Sequence, residues 1–168
     1  MLSKGSEYLA DDHAALDQLL TQLQADLNSG DVAACYRSLD LFWAKLAVHI
    51  RAEHLHLFPS ITSDETRTVI ERLRADHNFF MHELGRAAET IRALLNISEK
   101  LLIDEGLDAV RHAISEIAQK LADHNRIEEN HIYQLAGIVL NTQEQSELAR
   151  RISSELEKRP PRFAANIW

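Results

Sequence analysis

A short pattern of histidine and glutamate occurs twice in the chain, seventy-five residues apart. The first copy places His49 four residues before Glu53, and the second places His124 four residues before Glu128. On an α-helix, residues four apart lie on the same face, about 40° apart around the axis. Each pair can therefore direct an imidazole nitrogen and a carboxylate oxygen at one metal ion.

Two further histidines, His13 and His77, precede the two pairs, and each follows an aspartate. The chain thus contains the order lone histidine, then paired histidine and glutamate, two times over. This repetition predicts an approximate two-fold axis through a dinuclear metal site. The candidate metal ligands are His13, His49, Glu53, His77, His124 and Glu128.

The alternative interpretation is a polar core network without metal, since a lone histidine on an apolar stripe is usually a hydrogen-bonded core residue. Each unsatisfied buried polar group costs about 1–3 kcal/mol. Six such groups would be a heavy cost for a domain whose net stability is typically about 5–15 kcal/mol. The pattern therefore favours a metal pair, which makes the polar groups ligands.

The composition indicates one α-helical domain. The chain has 168 residues, is 45% hydrophobic and contains only five Gly and three Pro, which argues against disorder and against a many-stranded β fold. The net charge of −8 argues against nucleic acid and anionic membranes as partners. Cys35 is the only cysteine, so neither an intrachain disulfide nor a thiolate metal site is available. Without a secretory or membrane-spanning apolar segment, a soluble, cytoplasmic protein is expected.

Apolar residues recur at steps of three and four over four long stretches, and no segment alternates with a period of two over a useful length. We expect an all-α, up-down-up-down four-helix bundle over residues 1–140. The helical rise per residue places His77 and His124 each about 28 Å from the connection that joins their helices. These two histidines should therefore lie side by side.

The sequence also contains capping signals that mark where helices begin. Asp31 is a suitable N-cap for the second helix, and Thr142 with Gln145 predicts a capping box for a fifth helix. We expect residues 141–168 to form this helix and a proline-containing tail that packs on the same domain. Phe163 and Trp168 would attach the tail to the bundle.

The types of the candidate ligands narrow the metal. A site that combines imidazole with carboxylate and lacks cysteine favours two non-haem iron ions over manganese or zinc. One ion would be bound by the first three candidates in chain order, and the other by the last three. Glu53 and Glu128 can then bridge the two ions and leave open positions for a small ligand.

The order of these motifs resembles the hemerythrin-like HHE cation-binding domain over residues 6–137. Leu57-Phe58-Pro59 follows the first histidine–glutamate pair, and Ile132-Tyr133 follows the second. The resemblance implies a four-helix bundle around a carboxylate- and oxo-bridged di-iron centre. It also implies the same six ligands that the periodicity selects.

Two positions depart from the oxygen-carrying members of that family. Their additional histidine, four residues after the third-helix one, is Met81 here, and His82 points about 140° away from His77 around the helix. The chain is similar instead to the four-His, two-Glu subset, which includes iron-centre repair and nitric-oxide-responsive proteins. The second departure concerns the last carboxylate, where Glu129 has the spacing of those carriers and Glu128 fits the helical stripe. We favour Glu128 and keep Glu129 as the alternative.

Several neighbouring residues have a predicted place. His56 and His131 either orient the carboxylates, line an entrance to the site, or are plain residues at the end of the bundle. The residues expected on a solvated surface are Asp12, His54, Asp76, His112 and Asp123. A dry wall above the metals is expected from Phe42, Leu46, Phe80 and Met81.

The leading functional hypothesis is a di-iron protein that binds or senses oxygen, nitric oxide or peroxide. The first alternative is an enzyme or iron donor, which would turn over peroxide or nitric oxide or repair iron–sulfur centres, although no separate general acid or base is evident. The second alternative is a non-catalytic interaction module stabilised by metal. The fifth helix is compatible with a homodimer or another protein partner.

Overall fold

The computed structural model describes residues 2–158, and all secondary structure in that part of the chain is helical. The helices are α1 (Lys4–Ser29), α2 (Val32–Ala52), α3 (Phe58–Ile61), α4 (Arg67–Leu94), α5 (Lys100–Ile127), α6 (Tyr133–Val139) and α7 (Thr142–Leu156). Two π-helical segments, Glu53–Leu57 and Glu128–Ile132, join α2 to α3 and α5 to α6. The predicted all-α fold with an additional C-terminal helix is confirmed. The tail with Phe163 and Trp168 lies outside the described residues.

The four long helices form an antiparallel bundle. Both α1 and α4 pack against α2 and α5, so each long helix has two long neighbours. Gly30 ends α1 in a left-handed conformation with a φ of 78°, which glycine adopts without steric cost. The predicted N-cap Asp31 then accepts a hydrogen bond from the Ala34 N–H at 3.0 Å. This short turn makes α1 and α2 adjacent antiparallel helices.

The capping box of α7 is displaced by one residue from its predicted position. Asn141 accepts hydrogen bonds from the N–H groups of Gln143 and Glu144, and the Glu144 side chain accepts from the Asn141 N–H. Gln145 instead donates to the Leu140 carbonyl. Asparagine is the stronger N-cap because its short side-chain amide reaches the exposed N–H groups more readily than threonine does.

A polar layer divides the interior of the bundle into two apolar cores. Along α1 the chain passes from Leu9 in the lower core, through His13 in the polar layer, to Leu16 in the upper core. The upper core is formed by α1, α2, α4 and α5 and includes Leu16, Leu39, Phe42, Leu46, Phe80, Leu84, Ile114 and Leu121. The lower core adds the short helices and α7 and includes Leu9, Leu57, Phe58, Leu73, Ile132, Tyr133, Leu148 and Ile152. Within residues 2–158 no helix combines the length and the apolar character that crossing a membrane requires.

Helix α7 attaches to the bundle through a buried carboxylate as well as through apolar contacts. Glu155 pairs with Arg51 on α2 and with Lys158, and it lies 3.6 Å from His56 Nε2 in the first π-helical segment. Its side chain is only 2% exposed. A carboxylate buried to this degree depends on these cations, because water cannot solvate it fully.

Replacing Glu155 with glutamine should lower the free energy of unfolding by about 1–3 kcal/mol, because the amide loses the ionic hydrogen bonds that hold α7. Urea denaturation followed by circular dichroism measures the change. Glu147→Gln is the matched control on the same helix, since Glu147 forms an exposed pair with Arg151 that should contribute less than about 1 kcal/mol. Equal effects of the two substitutions would contradict the structural role of Glu155.

Candidate metal centre

The six candidate residues all lie in the polar layer, and each is at most 3% exposed. They form two groups that share both glutamates, and in each group the potential ligand atoms lie within 4.8 Å of one another. The first group is His13, His49, Glu53 and Glu128, and the second is Glu53, His77, His124 and Glu128. The bundle thus brings together residues from four helices and both π-helical segments.

Each glutamate extends one oxygen toward each group. Glu53 Oε1 lies 3.5 Å from His49 Nε2, and its Oε2 lies 3.3 Å from His77 Nε2. Glu128 Oε2 lies 3.4 Å from His13 Nε2, and its Oε1 lies 3.0 Å from His124 Nε2. Each carboxylate can therefore offer one oxygen to a cation in either group.

Two aspartates orient the histidines of the neighbouring helices. Asp12 accepts a hydrogen bond from His49 Nδ1 at 3.1 Å, and Asp76 accepts one from His124 Nδ1 at 3.3 Å. The prediction that both aspartates lie on a solvated face is wrong, because each is buried against the partner helix. Asp123, which was expected on the same kind of face, is indeed exposed. A carboxylate behind a ligating histidine fixes its ring and raises its basicity.

The two aspartates have matching lysine partners. Lys45 pairs with Asp12, and Lys120 Nζ lies 2.6 Å from Asp76 Oδ1. Each lysine lies one turn before the histidine that its aspartate orients, so the arrangement repeats in the two halves of the bundle. The expected approximate two-fold symmetry thus extends beyond the six residues themselves.

The residue after each glutamate contacts one of the remaining two histidines. Glu129 Oε1 accepts a hydrogen bond from His13 Nδ1 at 2.8 Å, and His54 Nε2 lies 2.9 Å from His77 Nδ1. Glu128 is fully buried between the two groups, whereas the Glu129 side chain is 45% exposed behind His13. Glu128 therefore belongs to both groups of potential ligands, and the alternative residue Glu129 contacts His13 from its outer side.

His54 breaks the symmetry because its counterpart in the second half is an anion. Burial lowers the pKa of His54 to about 4, with further lowering by the neighbouring His77 and Arg74. It is therefore neutral at pH 7. The prediction of a surface position is wrong for His54, which is half-buried, and agrees with the structure for His112, which is exposed.

The four imidazoles meet in two pairs through their inner nitrogens. His13 Nε2 lies 3.2 Å from His49 Nε2, and His77 Nε2 lies 2.9 Å from His124 Nε2. Two imidazole nitrogens at these distances share a proton, and the raised pKa of His49 agrees with a proton in the first pair. A metal ion can take the place of that proton, since both nitrogens of a pair can then act as ligands.

Two buried carboxylate oxygens in the same layer are also suited to bind a cation. Within residues 2–158, Glu53 Oε2 and Glu128 Oε1 accept no hydrogen bond of good geometry, although a histidine Nε2 lies 3.3 Å from the first and 3.0 Å from the second. An unpaired buried carboxylate oxygen is costly, and coordination to a cation removes that cost. The converging imidazole nitrogens and these oxygens therefore fit bound metal ions of the borderline type that prefers mixed nitrogen and oxygen ligands.

The π-helical segments explain which side chains follow the glutamates into the site. A π turn contains more residues than an α turn, so the residue five positions on, and not three or four, returns to the same face. Those residues are Phe58 and Tyr133. His56 instead lies near Glu155 of α7, and His131 is exposed. Both histidines thus lie outside the group of candidate ligands, at the end of the bundle.

Tyr133 lies in the site, although its position in the sequence did not single it out as a candidate. Its fully buried hydroxyl donates to Glu53 Oε1 at 2.7 Å and lies 3.3 Å from Glu128 Oε2. It also lies 3.0 Å from His13 Nε2 and 3.5 Å from His49 Nε2. Burial and the charges of Glu128 and Glu53 raise the pKa of the phenol well above its ordinary value. The repeated aromatic residue five positions after each glutamate was the available sequence pattern.

Aromatic rings cover the second group. The Phe80 ring packs edge-on against His124 at a centroid distance of 5.4 Å, and the Phe58 ring stacks against His77 at 6.0 Å. Phe42 and Leu46 belong to the upper core, and Met81 packs against it. Phe80 and its neighbours in the upper core thus keep the polar layer dry on its upper side, and Phe58 does so on its lower side.

The histidines and glutamates of the polar layer stabilise each other's charged forms. Burial alone would lower the pKa of His49, but the charge of Glu53 and the hydrogen bond to Asp12 outweigh it and raise the pKa to about 10. Burial would raise the pKa of Glu53, but His49 and His77 hold it well below the ordinary value. In the metal-free protein, protons on histidine thus balance the negative charge of the glutamates. In the metal-bound protein, the metal cations would balance it.

The free energy of unfolding of the metal-free protein should fall as the pH rises from 6.5 through about 10. The sign follows because the pKa of His49 is higher in the folded than in the unfolded chain, so its stabilising proton is lost over this interval. Metal binding displaces that proton, so the loaded protein should not show this fall. Urea denaturation of both forms across the interval tests the difference. An equal fall in both forms would contradict it.

A comparison with protein-family models matches residues 4–136 to the hemerythrin HHE cation-binding domain. The matched residues include the four bundle helices, both π-helical segments and all six candidate ligands. No curated protein matches the chain significantly. The match covers well over half of the chain, and the buried histidines and glutamates agree with the cation-binding character of the family. The chain belongs to the hemerythrin HHE cation-binding domain family.

Proposed function

We propose that the protein binds two non-haem iron ions and uses them to bind or sense oxygen, nitric oxide or peroxide. The single observation that carries the proposal is the pair of four-residue groups that share Glu53 and Glu128. Two groups linked by two carboxylates suit two ions at short separation. The ligands are proposed to be the same six residues: His13, His49, Glu53, His77, His124 and Glu128.

The donor types support iron over the alternatives. Each group provides two imidazole nitrogens and two carboxylate oxygens, a combination that suits iron and is less typical of zinc sites. Four protein ligands leave coordination positions free on an ion that prefers six. Iron ions with free positions can bind small oxygen- or nitrogen-containing ligands and exchange electrons with them.

The residues around the groups have separate tasks in this proposal. Asp12 and Asp76 hold the rings of His49 and His124, so that their Nε2 atoms face the centre. The ring of Phe80 excludes water from the second group. A small uncharged ligand can enter such a dry site without losing strong contacts with water, whereas ions cannot.

We also propose that the protein acts in the cytoplasm. Its only cysteine, Cys35, is buried, and the composition suits a reducing compartment. The net charge of −8 supports a small ligand over nucleic acid as the binding partner.

The absorption spectrum of the reduced, iron-loaded protein should change when the protein is mixed with oxygen or nitric oxide in a stopped-flow instrument. The zinc-loaded protein is the control, because zinc is redox-inert. Peroxide consumption by the same samples distinguishes turnover from simple binding. If iron-loaded protein shows no spectral change with any of the three ligands, the proposed function is wrong.

A further inference from the structure

The approximate two-fold symmetry makes the two groups directly comparable. In each half, the residue five positions after the glutamate returns to the polar layer because of the π-helical segment. This residue is Phe58 in the first half and Tyr133 in the second. At this position the two groups therefore differ in one hydroxyl.

The hydroxyl of Tyr133 is confined to one of the two groups. It lies within 2.7–3.5 Å of one ligand atom from every member of the first group, His13, His49, Glu53 and Glu128. A phenol oxygen in that position lies among the atoms that would surround an ion. An ion bound by the first group must therefore either contact the oxygen or displace it.

The second group has an apolar ring at the equivalent position. Phe58 stacks against His77 and has no atom that can bind a cation through a lone pair. Tyr133 is buried on all sides, in the lower core, so its side chain has little room to move away. Coordination is thus the simpler way for the oxygen to accommodate an ion.

We propose that Tyr133 is a fifth protein ligand of the ion held by the first group, and that the ion held by the second group keeps the position for a small ligand. This inference rests on the proposed metal binding. On ligation the phenol loses its O–H proton to solvent, its oxygen forms the bond to the metal, and no electron is transferred. The two ions of the centre would then have different tasks.

Loading with ferric iron tests the first half of the inference, because a phenolate bound to ferric iron absorbs visible light. The band should be present in the native protein and absent in Tyr133→Phe, while both proteins retain their iron. Tyr8 and Tyr36, the other tyrosines, lie in an outer groove and against the upper core, so they would not produce the band. The converse variant Phe58→Tyr should add a second phenol and strengthen the band.

Azide binding to the ferric protein tests the second half. Each phenol ligand removes one coordination position, so the native protein should bind one azide fewer than Tyr133→Phe, and Phe58→Tyr should bind one fewer than the native protein. Iron content, measured on the same samples, separates this inference from the proposed function. Two irons without a visible band, or a band that persists in Tyr133→Phe, would overturn the inference and leave the di-iron proposal intact. A native protein that binds no iron would overturn both.

Discussion

Replacing both Glu53 and Glu128 with glutamine should abolish metal binding, whereas the native protein should bind two ions, one for each group. Each group would lose two of its four protein ligands, since both glutamates are shared. A neutral amide presents one oxygen and cannot bridge two cations as a carboxylate does. Elemental analysis after anaerobic iron loading measures the result, and circular dichroism verifies that the variant is helical.

Glu129→Gln is the matched control, because this residue is the neighbour of Glu128 and the alternative in the sequence. It should retain both ions with weakened binding, since Glu129 only orients His13. Two results would contradict the assignment of the carboxylates: a double variant that keeps its metal, and a Glu129→Gln protein that loses an ion.

The second large effect should come from the aspartates behind the histidines. Asp12→Asn and Asp76→Asn should each weaken metal binding about 10–100-fold, which is the usual effect of losing such a hydrogen-bond partner. An asparagine can still accept a hydrogen bond but no longer supplies the negative charge that raises the basicity of the ring. Competition with a metal chelator of known affinity measures the change.

Asp123→Asn provides an internal control for that measurement. Asp123 also precedes a candidate histidine, but its side chain is exposed and pairs with Arg126. Its substitution should leave metal affinity unchanged. If Asp12→Asn and Asp76→Asn behave like Asp123→Asn, the aspartates have no role in orienting the ligands.

The contrast between these aspartates shows what the sequence could and could not predict. The helical period places His13, His49, His77 and His124 on apolar stripes, because the stripe depends only on the residue's own helix. Whether Asp12 is buried depends on the helix beside it, and a single helical stripe contains no information about that neighbour. Asp12, Asp76 and Asp123 therefore had the same expected position, and only Asp123 is exposed.

The π-helical segments account for a second group of errors. An uninterrupted α-helix would place His56 and His131 over the site, one turn beyond the glutamates. The wider π turn instead brings Phe58 and Tyr133 there. Glu53 and Glu128 begin the two π turns, and both are fully buried against helices that are distant in the chain. Local propensity does not show that burial, so the displaced register is visible only in the folded protein.

The division of the interior by the polar layer has a consequence for folding cooperativity. Each long helix runs from the lower apolar core to the upper one, and the histidine and glutamate layer lies between the two cores. Without a cation, that layer links the two cores through a few hydrogen bonds from protonated histidines. With metal bound, it would link them through several coordinate bonds. Hydrogen exchange should therefore detect two separately opening units in the metal-free chain and a single one when metal is bound. In this protein the metal would act as the coupling between two halves of one folded domain.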